Sequence, residues 1–306
     1  MDAQEIIRNY AAKQRNFRNI TLTQVSLSGV NLTGVDFSYA NLSNSDFSQA
    51  KLVETKLMWT DLNRTSLYRA NLQKANLFSA SLMWTNLQSA ILSQATLDNS
   101  RLHYANLKSA DLQGANLAEA NLGKACLVKA NLTKADLFKA SFSGTDGTEA
   151  NFQEANLSLT NWEGAILRNA LLPGVDLEKA QLNEVILTGA NLAQASLVEA
   201  DLSNVDLTNA NLQQAALELA TLTNVDLTNT NLDNASLFKA DLTNSILSNT
   251  SLVNTDLRHC NLANTQLQNV DFSSCRVRGA LFTNAVGLTP KQRQYLRENG
   301  ALNFAD

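Results

Sequence analysis

Apolar residues recur along this chain with a period of five. From Leu22 to Phe282 that frame visits 53 positions, and 52 of them are Leu, Phe, Trp or Val; the exception is Gly147. Two residues before each of these centres, from Val25 to Ala280, only Ala, Ser, Thr, Val or Cys occurs. The residue just before the centre is Asn or Asp in most repeats, as in Ala40-Asn41-Leu42, Ala135-Asp136-Leu137 and Ala200-Asp201-Leu202. No insertion or deletion shifts the frame.

A period of five matches neither the 3.6 of a helix face nor the 2 of a strand. It requires a unit that turns a corner at every repeat, with the large centre and the small residue two before it facing inward and the other three facing water. Four such units close a square of 20 residues per coil. Glycine concentrates two residues after the centre, at Gly29, Gly34, Gly114, Gly144, Gly164, Gly174, Gly189 and Gly279, and Asn is frequent at the same place. These residues best tolerate the positive φ that a type II turn needs at its third position. The corner therefore falls just after each centre, and Pro173-Gly174 supplies a favoured pair for it.

The A(D/N)LXX pattern resembles the pentapeptide-repeat family over about 85% of the chain. The resemblance implies an all-β solenoid, a right-handed quadrilateral β-helix of about 13 coils. At ~4.8 Å per coil, the inter-strand spacing, such a rod is on the order of 60 Å long. An open solenoid exposes backbone and core at its ends and needs caps. Residues 1–16 carry Ile6, Ile7, Tyr10 and Ala11 at helical spacing, which predicts a capping helix ahead of a β-helix over 17–286. Residues 287–306 form the other cap and tail: Thr289-Pro290-Lys291-Gln292 is a capping box with proline at the first helical position, Tyr295 and Leu296 supply the apolar face and Gly300 the stop. Leu302 and Phe304 cover the last coil or meet a second subunit, so the chain is a monomer or an end-to-end dimer.

Composition narrows the function classes. The net charge of −4 argues against a direct nucleic-acid groove. Cys126, Cys260 and Cys275 form no paired framework, which suggests a reducing compartment. No stretch of about 18 apolar residues exists to span a membrane, and Met1 to Tyr10 lacks the features of a signal peptide. The expectation is a cytoplasmic protein. The two histidines, His103 and His259, share no triad, there is no metal spacing or phosphate loop, and a Leu-filled interior offers no substrate pocket. The chain is expected to be no enzyme, with no cofactor and no small-molecule substrate.

Residues 20 apart stack along the tube, so surface columns follow from the sequence. Asn204, Asn224, Asn244, Asn264 and Asn284 share one column, and Asn209, Asn229, Asn249 and Asn269 another; both predict amide ladders. Lys124, Lys129, Lys134 and Lys139 form a belt, and columns pair Glu54 with Lys74, Glu119 with Lys139, Lys129 with Glu149, Lys134 with Glu154 and Lys179 with Glu199. Gly147 leaves a core slot empty, read as a bulge, a bend, a small cavity or a functional loop. The most suggestive surface places Trp84 and Tyr104 between Arg64 and Lys124, with Met83 and His103 beside them and Met58, Trp59, Tyr68 and Phe78 nearby. Exposed Trp, Tyr, Met and Arg are the types enriched at interface centres. Either this patch binds a partner protein, or cation–π stacking merely lines a corner.

Two functional classes remain. One is a protein-interaction scaffold or regulatory module; the long uninterrupted array and the Gly-Leu-Thr-Pro helix look most like cyanobacterial members of the family, which implies a role in cellular regulation. The other follows from family members that bind DNA gyrase by imitating duplex DNA. Against it, the columns before the centres carry no continuous acidic stripe, and the projecting loop insertions of the quinolone-protection members are missing.

Overall fold

The computed structural model describes residues 1–303 and divides into two compact units, Met1–Asn156 and Leu157–Asp306. Phe304, one of the expected end residues, lies outside the described residues. Within each unit, parallel bridges join residues 20 apart, from Asn16–Asp36 to Asp136–Asn156 in the first and from Asn161–Gln181 to Gln266–Val286 in the second. Each coil therefore holds four five-residue sides. The expected strands shrink to isolated single-residue bridges, because a turn at every fifth residue lets only the position before the centre exchange a pair of backbone hydrogen bonds with the neighbouring coil.

The repeat Ala40–Asn44 shows why the consensus has its form. Five backbone N–H groups need acceptors in every side. Asn41 donates to Ile20 O of the preceding coil at 2.8 Å, while Leu42 and Asn44 donate to Asp61 O and Asn63 O of the next at 2.8 and 3.0 Å. Ala40 closes the previous turn onto Phe37 O at 3.0 Å. The fifth donor, Ser43 N–H, has no backbone partner and is taken by Asn41 Oδ1 at 3.0 Å. The Asn or Asp before the centre is thus an acceptor for the otherwise unmatched donor two residues on. Where Ser81 holds that place, Met83 N–H donates instead to Asn63 Oδ1 of the neighbouring coil at 2.8 Å.

The other consensus positions follow from packing. Centres from Leu22 to Phe282 are at most 2% exposed, and so are the alanines two before them. A fully buried Leu contributes about 1.5–3 kcal/mol by leaving water. Threonine is accepted at the small position because its hydroxyl finds a centre's carbonyl one coil back, as from Thr65 to Leu42 O (3.0 Å) and from Thr145 to Leu122 O (2.9 Å). Cys260 fits by the same device, its Sγ donating to Leu237 O at 2.7 Å. Two residues after the centre φ is positive at every repeat from Leu22 to Phe282 except at Ser274, for example +57° at Trp59 and +60° at Tyr104. This is the corner that the glycine and asparagine bias predicts, and long side chains occupy it as well.

Gly147 keeps the frame, and of the alternatives open for it the bulge does not occur. Ala150 closes its turn onto Gly147 O at 3.0 Å, and Thr148 N–H reaches Asp146 Oδ1 at 3.0 Å. The centres on either side, Phe142 and Phe152, meet edge to face with centroids 6.3 Å apart. Two aromatic rings thus occupy the layer that lacks a side chain.

Helices stand at the two termini. In the first unit α1, Ala3–Ala11, is capped by Asp2, whose side chain accepts from Glu5 N–H at 2.8 Å. It buries Ile6 completely, and Tyr10 O–H donates to Thr33 O at 3.3 Å. The coils begin at Phe17, whose ring meets that of Phe37 at 5.7 Å with the planes tilted by 36°. In the second unit α2, Pro290–Glu298, has the full Thr289–Gln292 capping box and buries Leu296. Tyr295 O–H donates to Ser273 O at 2.9 Å, and Gln292 Nε2 donates to Val270 O. Past Gly300 the chain adds one more rung, with Leu302 bridged to Leu281.

Candidate functional site

The first unit holds the aromatic surface. Corner positions point their side chains off the tube, and residues on one corner of successive coils lie a coil spacing apart, ~4.8 Å. Four such residues form a continuous stack. The Arg64 guanidinium lies 5.4 Å from the Trp84 ring, Trp84 and Tyr104 are stacked at 5.4 Å with planes 10° apart, and Lys124 Nζ lies 5.7 Å from the Tyr104 ring. Trp84 remains 47% and Tyr104 41% exposed. An exposed cation–π contact of this kind is worth about 0.5–1 kcal/mol. Three successive contacts stiffen the ridge while leaving its ring edges open to a partner.

His103 braces the stack from beside it. Its ring meets Tyr104 edge to face at 4.3 Å. Its Nδ1 is buried without a hydrogen-bond partner and lies over Gly123, where an added Cβ would sit 2.8 Å from it. Gly123 is thus needed for close approach rather than for its backbone angle. Met83 is half-buried on the same side.

The remaining expected residues form two further groups. Trp59, 55% exposed, meets Phe78 edge to face at 5.7 Å, with Met58 half-buried beside it on the adjacent corner. Tyr68, on the corner beyond Arg64, has the Arg69 guanidinium 5.0 Å from its ring. Among the described residues, no ring contact joins these groups to the Trp84–Tyr104 stack. The sequence reading missed Tyr39, which is 50% exposed and has Arg18 5.3 Å from its ring. The signal was present, since Tyr39 stands 20 residues before Trp59 in the same column.

The second unit differs in kind. Its asparagine ladder runs from Asn204 through Asn224, Asn244 and Asn264 to Asn284, each amide donating to the one before at 3.0–3.2 Å. Parts of the second column pair likewise, Asn229 with Asn209 at 3.2 Å and Asn269 with Asn249 at 2.9 Å. A smaller cluster was not foreseen: Phe238 lies between Lys239 (5.2 Å) and Arg258 (5.5 Å), with His259 edge-on at 5.7 Å. Asp256 is 3% exposed and binds Arg258 at 2.6 Å and Arg276 at 3.0 Å. Burial works to raise its pKa, but the hydrogen bond from Arg258 and the charges of Arg276 and Arg258 outweigh it and hold the carboxyl below the usual range. A cleft of about 320 Å³ opens where α2 crosses Asp271, Phe272 and Ser273.

The column charges pair in part. Lys129–Glu149 and Lys134–Glu154 close at 3.4 Å and Lys179–Glu199 at 3.8 Å. Among the described residues, Glu54–Lys74 and Glu119–Lys139 form no ion pair; Lys139 lies 5.0 Å from the Phe138 ring instead. Also among the described residues, no group of three or more His, Cys, Asp or Glu is placed to hold a metal ion, and no helix is long and apolar enough to cross a membrane.

Side chains that alternate between a Leu core and a positive-φ corner, coil after coil, define a pentapeptide-repeat solenoid. Eight copies of the pentapeptide-repeat family pattern match residues 16–52, 40–77, 80–117, 115–146, 150–189, 186–224, 217–252 and 245–284, and the chain belongs to that family. Among solved structures it is similar to HetL, a pentapeptide-repeat protein involved in heterocyst differentiation regulation in the cyanobacterium Nostoc. That match has 28% identity, covers 92% of this chain and 97% of HetL, and has a TM-score of 0.29. A trypsin-treated form of QnrB1, a plasmid-mediated fluoroquinolone resistance protein, matches at 17% identity over 76% of this chain and 94% of its own, with a TM-score of 0.40. A pentapeptide-repeat protein of the Arabidopsis thaliana thylakoid lumen matches at 24% identity, covering 44% and 80%, with a TM-score of 0.31. No curated protein sequence matches.

Proposed function

We propose that this protein is a non-enzymatic scaffold or regulatory module that binds another protein through the aromatic surface of its first unit. The observation that carries this reading is the exposed Arg64–Trp84–Tyr104–Lys124 stack, with His103 and Met83 beside it and Trp59, Phe78, Met58 and Tyr68 on the flanking corners. Preordered aromatic side chains give a partner contact area at little entropic cost, which is why such residues dominate interface energetics. In this reading the winding is right-handed with about 13 coils. The chain works in the cytoplasm as a monomer or end-to-end dimer, in a regulatory role of the kind that its likeness to cyanobacterial members of the family implies. The DNA-mimic alternative is disfavoured by the charge on the first unit, where Arg64, Arg69, Lys108, Lys124 and Lys129 interrupt any acidic stripe.

The test is a pull-down from the source cell with wild type and a Trp84→Ala/Tyr104→Ala double variant. Both side chains are corner residues outside the core, so the fold is retained. Loss of a specific partner is the expected result, and an unchanged partner list removes the patch. Inhibition of gyrase supercoiling at micromolar protein would move the assignment to DNA mimicry.

A further inference from the structure

The side of the first unit next to the aromatic ridge has an unusual charge pattern. It comprises residues 64–69, 84–89, 104–109 and 124–129, one five-residue side and its corners on four successive coils. These stretches contain the cations Arg64, Arg69, Lys108, Lys124 and Lys129 and no Asp or Glu, in a chain whose net charge is −4. All five cations are exposed. Among the described residues, Arg64, Arg69, Lys108 and Lys124 form no ion pair, while Lys129 reaches Glu149 beyond the border of the side. Along this side acidic residues return on the coils beyond, at Asp46 on one flank and at Asp146 and Glu149 on the other, while on the adjoining sides Asp61 and Asp111 stand three residues from Arg64 and Lys108.

Resting on the partner-binding reading above, we infer that this side docks an extended acidic segment of the partner protein. Ring faces decide against a single-stranded nucleic acid, which needs open faces for base stacking. Here Arg64 covers the outer face of Trp84, Lys124 covers that of Tyr104, and the inner faces cover each other. What the ridge presents outward is ring edge, the positive rim of the aromatic quadrupole. Ring edges, an indole N–H, a phenol O–H and five cations together make a surface of donors and positive potential, which suits carboxylates. The geometry also suits an extended chain. Arg69 and Lys129 share a column three coils apart, as do Arg64 and Lys124, a distance of about 14 Å at ~4.8 Å per coil. Four residues of extended peptide span about the same length at ~3.4 Å each. Carboxylates at positions i and i+4 of the segment would then face the two ends of a column, with Lys108 serving one between them.

Cys126 lies on the last of the four coils, between Lys124 and Lys129, and gives a local reporter at that end of the side. It is partly exposed, whereas Cys260 and Cys275 are buried, and burial pushes the Cys275 thiol up to about 12 and that of Cys260 higher still. Alkylation by iodoacetamide near neutral pH therefore reads Cys126 alone. The probe is a synthetic decapeptide in which glutamate alternates with leucine and serine. At about 0.05 M salt it should slow alkylation of Cys126 at least about threefold, and raising salt to about 0.5 M should abolish the protection. An Arg69→Glu/Lys108→Glu variant, checked for wild-type circular dichroism, should show no protection. Equal protection by the lysine counterpart, or none by the glutamate peptide, overturns the inference. Protection by oligothymidylate or phosphatidylserine vesicles but not by the peptide overturns it in favour of those ligands. The two readings fail separately: a partner lost on Trp84→Ala/Tyr104→Ala with an unprotected Cys126 leaves the scaffold role standing and removes only the acidic segment.

Discussion

At the scale of the residue, the aromatic ridge depends on a glycine that lies outside it. His103 can approach the coil at residue 123 and meet Tyr104 only because that residue has no Cβ, which would fall 2.8 Å from Nδ1, 3.1 Å from Cε1 and 3.2 Å from Asn121 Oδ1. Gly123→Ala should therefore destabilise the protein by about 1–3 kcal/mol, the usual range for overpacking, offset slightly by a stiffer unfolded chain. It should also shift the emission of Trp84 as the stack moves. A melting temperature and an emission spectrum check it, and wild-type values in both would show that His103 does not brace the ridge. The sequence placed Trp84, Tyr104, Arg64 and Lys124 in one column correctly, because a 20-residue register is simple arithmetic. It gave no hint of Gly123, whose role is a contact one coil away rather than a turn.

At the scale of the element, one coil side is a closed hydrogen-bonding unit with a fixed thickness. The alanine two before each centre sits where the walls approach most closely, and Ala110 is only 1% exposed. Ala110→Leu should cost about 1–3 kcal/mol or more, whereas Lys108→Leu two residues earlier should stay within about 0.5 kcal/mol. Denaturant unfolding of both variants measures the difference, and equal midpoints would contradict the inward assignment of the small position. The sequence predicted this inward pair, but it treated the Asn or Asp before the centre as a surface residue. Its carboxamide or carboxylate instead accepts the one backbone N–H that neither the turn nor the neighbouring coils satisfy, as Asn41 does for Ser43. That need is visible only once every donor in a side has been assigned.

At the scale of the whole molecule, buried and bonded carboxylates set the acid limit of stability. Asp46 in the first unit has a lowered pKa, first through the Ser48 hydroxyl. In Asp206 and Asp256 of the second unit burial raises the pKa, but hydrogen bonds from Thr208 and Thr188 and from Arg258, with nearby arginine charge, overcome it. A carboxylate whose folded pKa is depressed adds stability that is fully present above its unfolded value, 3.8 here, and is lost as pH falls through the folded value. The melting temperature should thus hold steady from neutral pH to about pH 5 and fall steeply below about pH 4. In Asp256→Asn the fall should be shallower, from a lower starting point, because Arg258 and Arg276 lose their partner. An unchanged acid slope in that variant would show that Asp256 is not among the controlling groups.

The sequence by itself determined the coil: its 20-residue length, its inward centres and small residues, its corners, and the columns that stack outside. It could do so because every one of these features repeats, so that local chemistry and the global fold demand the same residue at the same place. What only the tertiary structure decided lies where the repeat is broken or where different columns meet. Gly147 was left open as a bulge, a bend, a small cavity or a functional loop, and the structure shows Phe142 and Phe152 meeting in the layer that lacks its side chain. The expected nine-residue patch resolved into separate clusters, because ring orientation depends on which neighbour each side chain packs against. The carboxylate-free side beside the ridge joins residues from four coils, and its unpaired cations came into view only when each charge could be matched to its neighbours in space.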